Sequence, residues 1–202
     1  MEYPSKLIEN AVLEISRLPG IGKKTAFRLV MHLLRTEESA SVSLSDAIIK
    51  LRTETRYCNN CGMVSEDVLC KYCSSAKRDH SLICLVEDIP DVIAIENTAQ
   101  FQGVYHILGG LISPVNGIGP DDLRIQELFD RIESKKNTVK EVILALSPTM
   151  EGDTTAFYLN KKLSEKGIEV STIARGVPLG GELEYADELT LGRSIVTRTK
   201  YD

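Results

Sequence analysis

No apolar run in this chain approaches membrane-spanning length, and the opening stretch MEYPSKLIENAVLEISRL carries acidic residues within its first apolar segment, unlike a signal or transit peptide. A soluble cytoplasmic protein, with no membrane partner, is therefore expected. Internal repeats and low-complexity tracts are missing as well. Acidic residues are absent between positions 15 and 36, where Arg17, Lys23, Lys24, Arg28 and Arg35 give a local charge of +5 in a chain whose net charge is −5. The overall sign counts against a nucleic-acid partner, since affinity for DNA comes largely from basic side chains that displace counterions, but this segment reverses it locally. One end of the chain is suited to meet DNA.

What is present is ample for folding: 202 residues, 43% of them hydrophobic, allow one large domain or two to three small ones. Leu7, Ile8, Ala11, Val12, Ile15 and Leu18 recur at helical spacing until Pro19-Gly20 stops them; Ala26, Leu29, Val30, Leu33 and Leu34 make a second helix, and Ala47, Ile48 and Leu51 a third. From Ser81 onward, short apolar runs (LICLV, VYHIL, VILAL, VSTIA) alternate with helical stretches near 91–99, 121–132 and 154–166. Such alternation predicts a mostly parallel sheet covered by helices. The glycine- and charge-rich residues 176–202 read as an appendage to it.

Five cysteines in a reducing compartment argue against a disulfide framework. Cys58, Cys61, Cys70 and Cys73 form two C-x2-C pairs eight residues apart, the spacing that closes a thiolate tetrahedron around zinc. Gly62 permits a tight knuckle after Cys61. Four sulfur ligands leave no open position, so one structural zinc per subunit is expected; the alternative, two redox pairs, would belong at the start of a helix in a βαβ unit. A module this small needs such a staple because it lacks a core of its own. Cys84, inside LICLV, is expected to be buried and inert.

Leu18-Pro19-Gly20-Ile21-Gly22-Lys23-Lys24-Thr25-Ala26 joins the first two helices. Its glycines permit a turn whose N–H groups, at the start of the second helix, face a phosphate, while Lys24 and Arg28 share a helical face. The segment resembles the helix-hairpin-helix motif of DNA repair proteins, with Lys23, Lys24 and Arg28 as sequence-independent phosphate contacts; the plainer alternative is a solvated basic face. A phosphate-binding loop is excluded, since Lys24 stands where Gly-Lys must be followed by Ser or Thr.

Glu87 closes the first strand of the sheet region, and Ser147-Pro148-Thr149-Met150-Glu151-Gly152-Asp153 follows a later one, positions where open α/β sheets place their sites. The pair resembles the Toprim domain of topoisomerases and bacterial primases, in which a glutamate and an Asp-x-Asp hold magnesium. Here Ser147 and Thr149 occupy the Asp-x-Asp positions, and neutral hydroxyls are poor ligands for a hard cation, so no catalysis is expected. A magnesium-dependent Toprim nuclease or topoisomerase is the alternative, and a zinc-stabilised scaffold that binds only protein is a third reading. The first-turn carboxylates Glu151 and Asp153 are explained by the helix dipole. Glu87, Asp88 and Asp91 form either an acidic docking surface or a solvated edge.

The order helix-hairpin-helix, four-cysteine module, degenerate Toprim is similar to the RecR family over essentially the whole chain, together with Tyr3-Pro4, the stretch Ile112–Pro120 and the tail Gly176–Asp187. The expected fold is multidomain α/β: residues 1–56 helical and DNA-binding, 57–77 the zinc finger, 78–176 the Toprim domain, and 177–202 a C-terminal assembly segment. The resemblance implies a homotetrameric ring around DNA, associated with the nucleoid when bound, that works with RecO and in some settings RecF to load recombinase on single strands. It assigns DNA contact to Lys24 and Arg28 and partner contact to Glu87 and Asp91. A Walker B-like segment at Leu183–Asp187 is also implied, without a phosphate loop to accompany it.

Overall fold

The computed structural model describes residues 3–134, 138–177, 180 and 182–200. Pro178, Leu179 and Gly181 of the tail motif lie outside the described residues, as do Met1 and Glu2. The chain forms two compact units, Met1–Thr55 and Arg56–Asp202.

The first unit is helical. α1 (Lys6–Ser16) is capped by the Ser5 hydroxyl, which accepts from the Ile8 N–H (3.3 Å). It packs on α2 (Lys23–Leu33) through buried Val12, Ala26 and Val30, with Ile8, Ile15, Phe27 and Met31 half-buried around them. The sequence-predicted stripes thus meet face to face. The third helix, α3 (Glu38–Glu54), behaves differently: none of its described side chains is buried, and Val42, Leu44, Ile48, Ile49 and Leu51 stand exposed. Its apolar positions therefore remain largely open to solvent.

The second unit opens with a short antiparallel pair, β1 (Arg56–Tyr57) and β2 (Val64–Ser65). A four-stranded sheet follows, built from β3 (Asp79–Val86), β4 (Gly103–Ile107), β5 (Glu141–Ala145) and β6 (Glu169–Thr172) in the order β4-β3-β5-β6. All three pairings are parallel. The crossovers are made by α4 (Ile89–Asn97), α5 (Ile125–Ser134) and α6 (Met150–Ser164). α7 (Glu188–Val196) lies in the tail and is a helix that the sequence reading did not anticipate.

Alternation along β3 sorts the core into two layers. Ile83 and Leu85 join Val104, Leu128, Ile132, Val142, Leu144, Leu159 and Leu163 on one side. Cys84 and Val86 join Val92, Tyr105, Ile107, Ala145 and the cysteine quartet on the other. The cysteine module therefore shares a core with the sheet, which corrects the picture of a free-standing finger that needs an ion because it lacks a core of its own.

Leu128, fully buried in α5, provides a test of the first layer. Leu128→Ala should lower the unfolding free energy of the second unit by about 3 kcal/mol through lost transfer energy and a residual cavity. Val115→Ala, at a side chain 94% exposed, should change it little; urea titrations of both variants check the contrast.

Candidate metal centre and nucleic-acid interface

The four sulfurs of Cys58, Cys61, Cys70 and Cys73 all lie within 4.8 Å of one another, and all four residues are buried. A tetrahedral zinc with bonds of about 2.3 Å requires sulfurs about 3.8 Å apart. The donor set and its spacing therefore fit a closed four-coordinate ion. Among the described residues this is the only group of three or more His, Cys, Asp or Glu side chains that converges in this way. Four thiols this close resist ionising together: hydrogen bonding to Cys70 and Cys73, and then burial, push Cys61 up, while the bonds Cys70 receives from Cys61 and Cys73 pull it down. A divalent cation removes that conflict by accepting all four as thiolates.

Local backbone builds the first knuckle. Cys58 N–H donates to Met63 C=O (2.7 Å) and Gly62 N–H to Cys58 C=O (2.9 Å). Gly62 adopts φ +78°, and the Arg124 guanidinium lies where its side chain would be, 2.3 Å from an ideal Cβ. The left-handed backbone is the condition that favours glycine, since the Arg124 side chain could shift to admit a Cβ.

Both knuckles are fastened to the sheet. β4 is an edge strand, and edge N–H and C=O groups need partners when they are covered. Ile107 N–H donates outward to Cys61 C=O (2.8 Å), and the Arg131 guanidinium donates to Tyr105 C=O (2.7 Å) and more weakly to Asn60 C=O (3.4 Å). On the second knuckle, Tyr72 packs edge-on against Tyr105 at 5.3 Å, and the Arg78 guanidinium lies 4.8 Å over the Tyr72 ring. Arg78 in turn grips Glu96 with two hydrogen bonds (2.7 and 2.6 Å), and the Tyr105 hydroxyl donates to the same carboxylate. Burial works against the Glu96 charge, but Arg78 and Tyr105 overcome it and hold the carboxyl below the usual range.

The sequence reading missed Tyr72, Arg78, Glu96, Tyr105, Arg124 and Arg131. Arg131 left a trace: it stands three residues after Leu128, on the apolar face of α5, and is only 6% exposed.

The basic hairpin of the first unit has the expected form. Gly20 makes the turn at φ +78°, and Gly22 caps α2 with no side-chain hydrogen bond and no acidic residue in the first turn. The N–H groups there are left for an external anion. Lys23, Lys24 and Arg28 are all exposed, on a helix whose inner face is set by Ala26 and Val30. Among the described residues none of the three forms an ion pair.

At the C-terminal ends of β3 and β5, adjacent parallel strands, Glu87 and Ser147 come to the same end of the sheet. The Thr149 hydroxyl caps α6 by accepting from Gly152 N–H (3.1 Å). Asp88 and Asp91 form a capping box on α4: the Asp88 carboxylate accepts from Ile89 N–H (2.6 Å) and that of Asp91 from Asp88 N–H (3.0 Å). Burial, followed by repulsion from Asp91 and Asp88, pushes the Glu87 carboxyl up. Asp153 does more than favour the helix dipole, since it pairs with Arg175 (2.6 Å) and Arg193 (3.6 Å), Arg175 being the main cause of its lowered pKa. No helix among the described residues is long and apolar enough to cross a membrane.

A helical hairpin with a bare basic N-terminus, a buried cysteine quartet and a parallel sheet with neutral residues at its Asp-x-Asp positions define a helix-hairpin-helix protein that carries a Toprim domain. Family models agree part by part: RecR helix-hairpin-helix over residues 8–51, Toprim domain over 81–174 and RecR C-terminal over 176–199. The recombination protein RecR of Cytophaga hutchinsonii is 59% identical over all 202 residues, which cover 98% of that relative. Those of Amoebophilus asiaticus and Flavobacterium johnsoniae are 55% and 53% identical, each over the whole of this chain and over 100% and 97% of their own lengths. The chain belongs to the RecR family of recombination proteins.

The Glu96 clamp is testable by stability. Glu96→Gln removes a charge gripped by two side-chain groups and should cost about 2 kcal/mol at neutral pH. A carboxyl held low contributes stability that is full above its unfolded value, about 4.3, and is lost as pH falls through the folded value. The gap between wild type and variant should therefore be constant near pH 7 and narrow below about pH 4, as thermal unfolding at several pH values would report.

Proposed function

We propose that this protein is a non-catalytic, DNA-binding mediator of recombinational DNA repair, assembling as a homotetrameric ring that acts with RecO and RecF to load recombinase on single-stranded DNA. The observation that carries the DNA-binding part is the hairpin: three exposed, unpaired cations beside an uncapped helix N-terminus. Lys23, Lys24 and Arg28 contact phosphates without reading sequence. The chain divides into a DNA-binding region at 1–56, a zinc finger at 57–77, a Toprim domain at 78–176 and an assembly segment at 177–202.

Assembly through both ends of the chain is supported by apolar surface that its own unit leaves uncovered. α3 buries nothing, and the tail exposes Leu183, Tyr185, Leu189, Ile195 and Val196. Such surface favours a partner. Absence of catalysis is supported by Ser147 and Thr149 at the metal-binding positions and by the engagement of Asp88 and Asp91 in helix capping. Glu87 and Asp91 serve instead as the acidic part of a docking site for a protein partner.

If Lys24 and Arg28 hold phosphates, Lys24→Ala/Arg28→Ala should weaken binding to every sequence alike and make its salt dependence shallower by up to ~2 charges per subunit. Folding should survive, since both side chains are exposed. In a ring the loss multiplies across copies. The measurement is DNA affinity against salt for wild type and variant, with oligomeric state followed by sedimentation. Unchanged affinity and slope in an assembled variant would reassign the basic helix to a subunit contact.

Cys58, Cys61, Cys70 and Cys73 hold one structural zinc, which ties the two knuckles together and contributes on the order of 10 kcal/mol to folding of the module. Cys58→Ser should lose the metal and much of its solubility. Elemental analysis of the purified chain checks this, and stoichiometric zinc in a chain lacking two of the four cysteines would refute the ligand set.

A further inference from the structure

Arg131 is a buried cation with no carboxylate partner among the described residues. Its side chain is inside the second unit, 6% exposed, and its hydrogen bonds go only to the carbonyls of Tyr105 and Asn60. Its Nε has no hydrogen-bond partner, and among the described residues it forms no ion pair with a carboxylate. A guanidinium cannot shed its proton to escape burial, so a charge in this position requires a counter-charge nearby. The neighbouring cations are already accounted for. Arg124, pressed on Gly62, pairs with Glu127 (3.6 Å), and Arg78 is held by Glu96. His106, fully buried, donates from Nε2 to Arg124 C=O (2.7 Å), and burial lowers its pKa to about 4, which keeps it neutral.

The neighbouring group able to supply that counter-charge is the cysteine quartet. Asn60, whose carbonyl Arg131 reaches, stands between Cys58 and Cys61 in the first knuckle. A divalent ion bound by four thiolates carries two excess negative charges, and placing such a centre in a core costs as much as placing any unpaired charge there.

We infer that Arg131 is the counter-ion of the metal centre: a positioning residue from the sheet domain that offsets part of the tetrathiolate's negative charge and thereby sets how tightly the metal is held. The inference rests on the zinc assignment proposed above. It makes the pairing mutual. Metal loss leaves Arg131 buried and uncompensated, and loss of Arg131 leaves the loaded centre with its full charge in a dry environment. Groups outside the ligand shell commonly change metal affinity by about 10- to 100-fold.

The test follows transfer of zinc from the purified full-length protein to a coloured chelator at neutral pH, with circular dichroism as a folding control. Arg131→Met, similar in volume and uncharged, should release zinc at least about tenfold faster than wild type. Arg131→Lys, which keeps the charge but not the fork, should stay within a few-fold of wild type. If Arg131→Met does not fold, Arg131→Gln, which retains a donor for the Tyr105 and Asn60 carbonyls, takes its place; failure of both neutral variants beside a soluble, zinc-retaining Arg131→Lys supports the charge role. Wild-type release rates in a folded Arg131→Met overturn it, and so does release from Arg131→Lys as fast as from the neutral variants, which would make Arg131 a carbonyl clamp alone. A wild-type protein that contains no zinc overturns the metal assignment itself, whereas one zinc per chain with no effect at Arg131 overturns only this inference.

Discussion

The outer edge of β4 is the constraint on which the second unit depends. A parallel sheet needs both faces covered and both edges closed, and in this chain a single edge does two jobs. Ile107 N–H ends on Cys61 C=O, and Tyr105 C=O receives Arg131 from α5. The same strand therefore terminates the sheet and anchors the first cysteine knuckle. Tyr105 extends this by packing on Tyr72 of the second knuckle while its hydroxyl reaches Glu96 of α4. A module too small to form a core uses the sheet's core instead.

This arrangement bears on the acidic end of the sheet as well. Two residues beyond the edge bond, Gly109 N–H donates to Glu87 C=O (2.9 Å), so the backbone of the docking candidate lies next to the strand that holds the metal module. Thr149, Asp88 and Asp91 shape the rest of that end by capping helices. The geometry of a Toprim domain is retained there with neutral side chains where metal ligands would stand. What a fold of this kind does is set by the side chains at that end of the sheet and not by the fold alone.

The helical first unit works on another principle. Its small buried cluster of Val12, Ala26 and Val30 fixes α1 against α2, and the turn between them presents an uncapped N-terminus flanked by lysines. Little else in the unit is buried. α3 keeps Val42, Leu44, Ile48, Ile49 and Leu51 on the outside.

The elements whose meaning is local were legible in the sequence. Two C-x2-C pairs bring four sulfurs close enough to hold one metal ion because spacing decides what a knuckle can present, and Gly20-Ile21-Gly22 with its lysines specifies a turn and a charge within nine residues. Period and alternation likewise announced helices, then a parallel sheet, and placed Cys84 in the core. Tertiary structure decided whatever depends on distant segments meeting. That Asp153 pairs with Arg175 and Arg193, that Glu96 holds Arg78 and Tyr105, and that Arg131 reaches the carbonyls of Tyr105 and Asn60 could not be read from spacing, because the partners are separated along the chain and are joined only when the sheet closes. The sequence by itself determined the cysteine pairs, the turn and the order of elements; packing alone determined where the buried charges find their partners, because a charge in a core is fixed by its surroundings and not by its neighbours in sequence.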